Sequence, residues 1–163
     1  MQIYIDADAC PVKDEAAKVA ARHNLIIHYV SNSHMRLPFG DNVKRVVVMA
    51  GADAADDWIV EQVVPNDIVV TADVPLAARA HKKGARVISN SGKVFTEDSI
   101  HMALAMRNLM SDLREATPDM RGSNAAFSPR ERSQFLQELE KVIQLVKRSS
   151  ANSHIVIPAK AGT

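Results

Sequence analysis

At 163 residues, 47% of them hydrophobic and 4% aromatic, the chain is long enough for one domain with a sizeable core and too short for two full ones. A formal net charge of +1 does not mark a polyanion binder, although a basic face and an acidic face can cancel in the total. The single cysteine, Cys10, excludes an internal disulfide, and no CxxC pair points to zinc; with no signal-peptide core at the amino end and no apolar run near the ~20 residues a bilayer requires, the expected location is the cytoplasm, without membrane contact.

The chain alternates short β-rich runs with longer helical patterns. "QIYID" (2–6) reads as a strand, followed by a helix opened by Pro11 with Val12, Ala16, Val19, Ala20 and His23 at helical spacing. "LIIHYV" (25–30) and "KRVVVM" (44–49) are two further strands separated by the loop "SNSHMRLPFGDN". A second helix, capped by Asp53, runs through "AADDWIVEQVV" with Ile59 and Val63 one turn apart. "DIVVTAD" (67–73) is a fourth strand, "PLAARAHKKG" a helix with Pro at its start and Gly past its end, and "ARVIS" (85–89) a fifth strand.

Two more helices follow. "TEDSIHMALAMRNLMSDLREA" (96–116), capped by Thr96, carries Ile100, Ala103, Leu104, Arg107 and Arg114 on one side and Met106, Leu109, Met110 and Leu113 on another, so burial on two sides is expected. After the polar connection 117–124, Ser128, Pro129 and Glu131 form a capping-box start, and Phe135, Leu139, Val142 and Val146 form an apolar stripe that should pack on the domain or on a second subunit, which keeps a homo-oligomer open. Residues 149–163 show no helical period and are expected to be a mobile tail; the single domain is expected over 1–148.

Strands this apolar suit a mostly parallel five-stranded sheet with helices on both faces, and ligands of such folds collect outside the carboxyl ends of the strands. Asp6 ends the first strand, Asp8 lies in the turn after it, and Asp73 ends the fourth. Asp56 stands in the first turn of its helix on the side shared by Ile59 and Val63, so it points towards the strand ends, whereas Asp57 should be solvated. Each of these aspartates taken singly could merely decorate a helix start. Four together at one edge repel, each ionised pair by roughly 3 kcal/mol at ~5 Å and an effective dielectric near ~20, unless some stay protonated or a cation joins them. Oxygen-only donors select Mg²⁺ or Mn²⁺ over zinc.

"DADACPVK", His34–Met35, "ADDWI" and "VVTADVPLA" resemble the YaiI/YqxD family, uncharacterised proteins with a PIN-like domain. The resemblance implies a three-layer α/β fold and, since many PIN-like domains are metal-dependent nucleases, a catalytic and metal-binding set of Asp6, Asp8, Asp56 and Asp73. Lys13 and His34 match family positions and could meet phosphate or orient water; each is otherwise an ordinary surface or loop residue. Arg36, Lys82 and Lys83 complete a basic rim for RNA, with "HKKGAR" equally readable as the solvated end of a helix. Arg107 is expected to pair with a carboxylate or reach a substrate phosphate. Cys10 reads as a small buried residue rather than a nucleophile.

Three functions follow as expectations. The first is metal-dependent phosphodiester hydrolysis. The second is a phosphatase of the haloacid dehalogenase type built on the DxD of Asp6 and Asp8, with a serine of "SNS" on the phosphate. The third is a non-catalytic nucleic-acid- or protein-binding module whose acidic cluster is filled by Arg107 or Lys13.

Overall fold

A computed structural model describes residues 1–49, 51, 53–116 and 127–161 of the chain. Five strands, β1 (Ile3–Asp6), β2 (Ile27–Ser31), β3 (Val43–Val47), β4 (Ile68–Val70) and β5 (Arg86–Ile88), form one sheet in the order β3-β2-β1-β4-β5. Every strand pairing is parallel; Ile5 in the central strand lies opposite Tyr29 on one side and Val70 on the other. The expected α/β class and five-stranded sheet are present, and the layering agrees with the three-layer architecture implied by the resemblance.

Alternation along the strands builds two cores, since successive side chains of a strand point to opposite faces. Ile3, Ile5, Ile27, Tyr29, Ile68, Val70 and Ile88 point to one face, where they meet Val12, α1 (Lys13–Arg22) and α5 (Pro129–Ala161) through Ala16, Val19, Phe135, Leu139 and Ile143. Tyr4, Val30, Val69 and Val87 point to the other face and meet Ile59 of α2 (Ala54–Gln62), Val63 just past its end, and Leu76, Ala77 and Ala80 of α3 (Val74–Lys82). Each fully buried Ile, Leu or Phe among them contributes roughly 1.5–3 kcal/mol. Helix α4 (Glu97–Ala116) packs outside α3.

The helix ends show which sequence signals act. Ser128 and Glu131 form the expected capping box, with Glu131 N–H donating to Ser128 Oγ at 3.2 Å and Ser128 N–H to Glu131 Oε1 at 3.4 Å. Thr96 caps α4 as expected, in a reciprocal pair with Ser99 at 3.1 and 2.7 Å. Asp53 stands at the cap position of α2, but its side chain makes no capping hydrogen bond.

One expectation needs correction, and the helix that follows runs further than its sequence pattern suggested. Met106, Leu109 and Met110 of the second stripe of α4 are at least half exposed, as is Met102; among the side chains described on this helix Ile100 alone is buried, and the helix packs against α3. Residues 149–161, read as a tail, continue α5 to Ala161. The stripe Phe135–Leu139–Val142–Val146 has already nucleated that helix on the core, and propagating an existing helix costs far less than starting one. The polar connection read at 117–124 and the last two positions, 162–163, lie outside the described residues.

Candidate carboxylate site at the strand ends

From β1 the chain moves outward to β2 and β3, then returns to β4 on the other side of β1. The gap beyond the carboxyl ends of β1 and β4 is therefore the topological switch point, where parallel α/β sheets bind their ligands. Asp6 closes β1 there, and Thr71, Ala72 and Asp73 leave β4 beside it. Thr71 is buried and organises both acids: its Oγ1 donates to Asp6 Oδ2 at 2.9 Å and accepts from the backbone N–H of Asp73 at 3.0 Å. Asp73 in turn caps α3, its Oδ1 accepting from Leu76 N–H at 2.9 Å. Thr71 was not among the residues expected at the site, although its place between an apolar run and an aspartate, on a strand end, was a usable signal.

Asp8 lies in a single 3₁₀ turn (Ala7–Ala9) after β1, exposed, with its Oδ2 accepting from Asn32 N–H at 3.1 Å just past β2. Asp56 stands half-buried in the first turn of α2 and makes no hydrogen bond or ion pair among the described residues. Burial, and then the charges of Asp73, Asp6 and Asp53, push its carboxyl up to about 6, with Arg79 opposing the rise. Burial likewise raises Asp6, partly offset by the Thr71 hydrogen bond and reinforced by Asp73 and Asp8. Asp6 and Asp56 thus each feel the charge of Asp73, Asp56 also feels Asp6, and Asp6 feels Asp8. Asp57 is exposed and paired with Arg79 at 2.9 Å, in line with a solvated role.

Among the described residues no three His, Cys, Asp or Glu side chains form a group that could hold a metal ion. The carboxylates are near enough to repel without converging on a single point. The donor set nonetheless suits a hard divalent ion, since it offers only oxygen, and Mg²⁺ is commonly held by one or two carboxylates while its waters fill the remaining positions. One or two of Asp6, Asp56 and Asp73 would supply such donors, with Asp8 at the outer side.

The basic residues divide into two groups. Lys13 opens α1, its Nζ donating to Cys10 O at 2.8 Å, and lines a surface groove together with Arg36. His34 is exposed in the loop after β2. Lys82 and Lys83 are not at this edge. α3 starts at Asp73 beside the carboxyl ends and runs back along the sheet, so its last residues lie at the opposite edge, ~13 Å away at 1.5 Å per residue. There Lys83 donates to Val60 O near the end of α2, and the alternative reading of "HKKGAR" as a solvated helix end is the one that fits. Arg107 is exposed on α4, and among the described residues it forms no ion pair. Among the described residues neither Arg107 nor Lys13 forms an ion pair with Asp6, Asp8, Asp56 or Asp73. Cys10 is buried as expected, and burial pushes its thiol up to about 11, away from nucleophilic use.

The family described as "Uncharacterized BCR, YaiI/YqxD family" matches residues 4–145. A UPF0178 protein of Rhodospirillum rubrum is 58% identical over 149 residues, 91% of this chain and 99% of that one. A UPF0178 protein of Parvibaculum lavamentivorans is 58% identical over 147 residues, 90% and 96% of the two chains, and one of Agrobacterium fabrum is 55% identical over 147 residues, 90% and 95%. No solved structure matches the chain. Among the described residues no helix is long and apolar enough to cross a membrane.

Proposed function

The chain belongs to the YaiI/YqxD family, and on that premise we propose that it hydrolyses phosphodiester bonds using a carboxylate-bound divalent ion, Mg²⁺ or Mn²⁺, with RNA as the favoured substrate. The observation that carries this reading is the repulsion at the switch point: Asp56 is raised to about 6 by burial and by Asp73 and Asp6 without a hydrogen-bonding partner among the described residues. A fold that keeps such an arrangement loses stability to it unless a cation relieves the charge.

When bound, the ion would supply a polarised water and charge neutralisation at the scissile phosphate. Asp6 and Asp73 keep fixed carboxylates through Thr71 and the cap of α3. Asp56, whose side chain has no partner among the described residues, would offer its oxygens to the cation. Asp8, exposed on the solvent side, would meet the water or the entering strand.

The test is cleavage of a labelled single-stranded RNA in Mn²⁺, with Asp56→Asn protein purified in parallel to expose contaminating nuclease. Wild-type protein should cut the RNA, while the variant, and the wild type in chelator, should not. Equal cleavage by both proteins, or none by either across metals and substrates, would replace this reading with the binding module.

A further inference from the structure

The crossover from β2 to β3 contains no helix. Met35 and Leu37 of this segment press onto the core shared with α1, while its outer side and the start of α1 enclose a groove of about 890 Å³, towards the upper end of the roughly 300–1,000 Å³ typical of ligand clefts. Lys13, Arg36 and Arg45 line it against one carboxylate, Asp14, and Phe39 stands at its rim with a relative exposure of 105%. A lone exposed Phe is ordinary on a protein surface. One placed between Pro38 and Gly40 in a groove that three cations also line is a different case: the ring offers a face for stacking while the cations offer charge for a polyanion.

We propose that this groove binds a single-stranded polynucleotide, with phosphates on Lys13, Arg36 and Arg45 and one base stacked on Phe39. Two of the cations are already fixed to the walls. Lys13 Nζ donates to Cys10 O at 2.8 Å and an Arg45 guanidinium nitrogen donates to Met35 O at 3.0 Å, which leaves the remaining N–H groups of each for the ligand. A duplex is excluded as the ligand because its bases stack on one another and present no free face to the ring. The two walls, 10–14 and 36–40, both depart from the point where Asp8 accepts from Asn32, so a strand in the groove leads towards the carboxylates. That direction rests on reading the strand-end aspartates as the cleavage centre; binding in the groove does not.

Binding is measured by fluorescence anisotropy of labelled RNA and DNA single strands of about ten nucleotides, within the site sizes such proteins cover, in chelator so that no turnover occurs. A blunt duplex and polyglutamate serve as further probes. Phe39→Ala should melt like the wild type yet bind roughly five- to hundredfold more weakly, whereas Phe39→Trp should bind as well as the wild type. Arg36→Ala combined with Arg45→Ala should flatten the salt dependence by about 0.7 in log–log slope for each phosphate that is no longer neutralised. A preference between RNA and DNA identifies which polymer the groove takes. Unchanged affinity of Phe39→Ala, or duplex or polyglutamate binding as tight as that of the single strands, would overturn the assignment. Asp56→Asn protein should bind normally in this assay: cleavage that depends on Asp56 with no effect of Phe39 leaves the hydrolase reading and removes the groove, and binding that depends on Phe39 without cleavage under any metal does the reverse.

Discussion

Thr71 and Asp6, 65 positions apart in the chain, are joined at the centre of the sheet by one hydroxyl, which donates to the carboxylate at 2.9 Å and accepts from Asp73 N–H at 3.0 Å. Thr71→Val keeps the side-chain shape but strips Asp6 of its donor and leaves a partly buried N–H unpaired. The expected loss is about 1–3 kcal/mol, seen as a lower denaturation midpoint, and Thr71→Ser should recover most of it. A valine variant as stable as the wild type would show that the hydroxyl does not organise the two acids.

The metal-free protein should carry an inverted pH signature. Asp56 ionises near 6 in the folded chain against an ordinary 3.8, so between those values the folded state holds a proton that the unfolded state has lost. Its contribution to stability is therefore complete below 3.8 and disappears as pH rises through about 6. Asp6, also raised, acts in the same direction. The difference in melting temperature between Asp56→Asn and wild type should be small near pH 4 and grow in favour of the variant towards pH 7. A difference that does not vary with pH would mean that Asp56 is not under strain.

Divalent metal should raise the melting temperature beyond what a monovalent salt achieves at matched ionic strength, because a bound ion stabilises the folded state by mass action while salt only screens. Asp6→Asn and Asp73→Asn should fold and lose this extra shift; asparagine at 73 can still cap α3. Equal shifts from the two salts would count against a metal site.

Lys82→Ala with Lys83→Ala should leave RNA binding and cleavage unchanged within twofold, since both residues close α3 at the edge away from Asp73. A marked loss in the same anisotropy assay would mean that nucleic acid wraps over the opposite edge of the sheet. Any small fall in melting temperature is to be attributed to the missing hydrogen bond from Lys83 to Val60 O.

How far the sequence could be read depended on which interactions were local. Apolar runs bounded by Asp, Pro and Gly located all five strands, and the Ser128–Glu131 box located α5, because those signals are settled within a few residues. Asp6 was legible as a strand end for the same reason, whereas Asp73, read as the end of the fourth strand, lies three residues past Val70 as the cap of α3. The strand order that places them side by side was not legible, since pairing β1 with β4 is a tertiary choice. Lys82 and Lys83 were legible as a helix end, but not the edge of the sheet they reach: a nine-residue helix carries its two ends to opposite edges. Arg45 and Phe39 escaped notice because an edge strand and a Pro–Phe–Gly turn acquire their meaning only when the crossover is laid against α1.

The hold of α5 on the rest of the molecule also bears on how the chain is made. Arg132 reaches Glu15 at 2.8 Å across 117 positions, and Phe135, Leu139 and Ile143 complete the core that begins with Ile3 and Ile5. During synthesis the central strand therefore leaves the ribosome long before either β4 or its covering helix exists. Contacts this distant in sequence form slowly, and the waiting chain displays apolar surface that other nascent chains can meet. A chain stopped before Phe135 would accordingly be no smaller version of the domain: it would hold all five strands, with one face covered by α1 alone where α5 should join it, a natural client for chaperones and proteases.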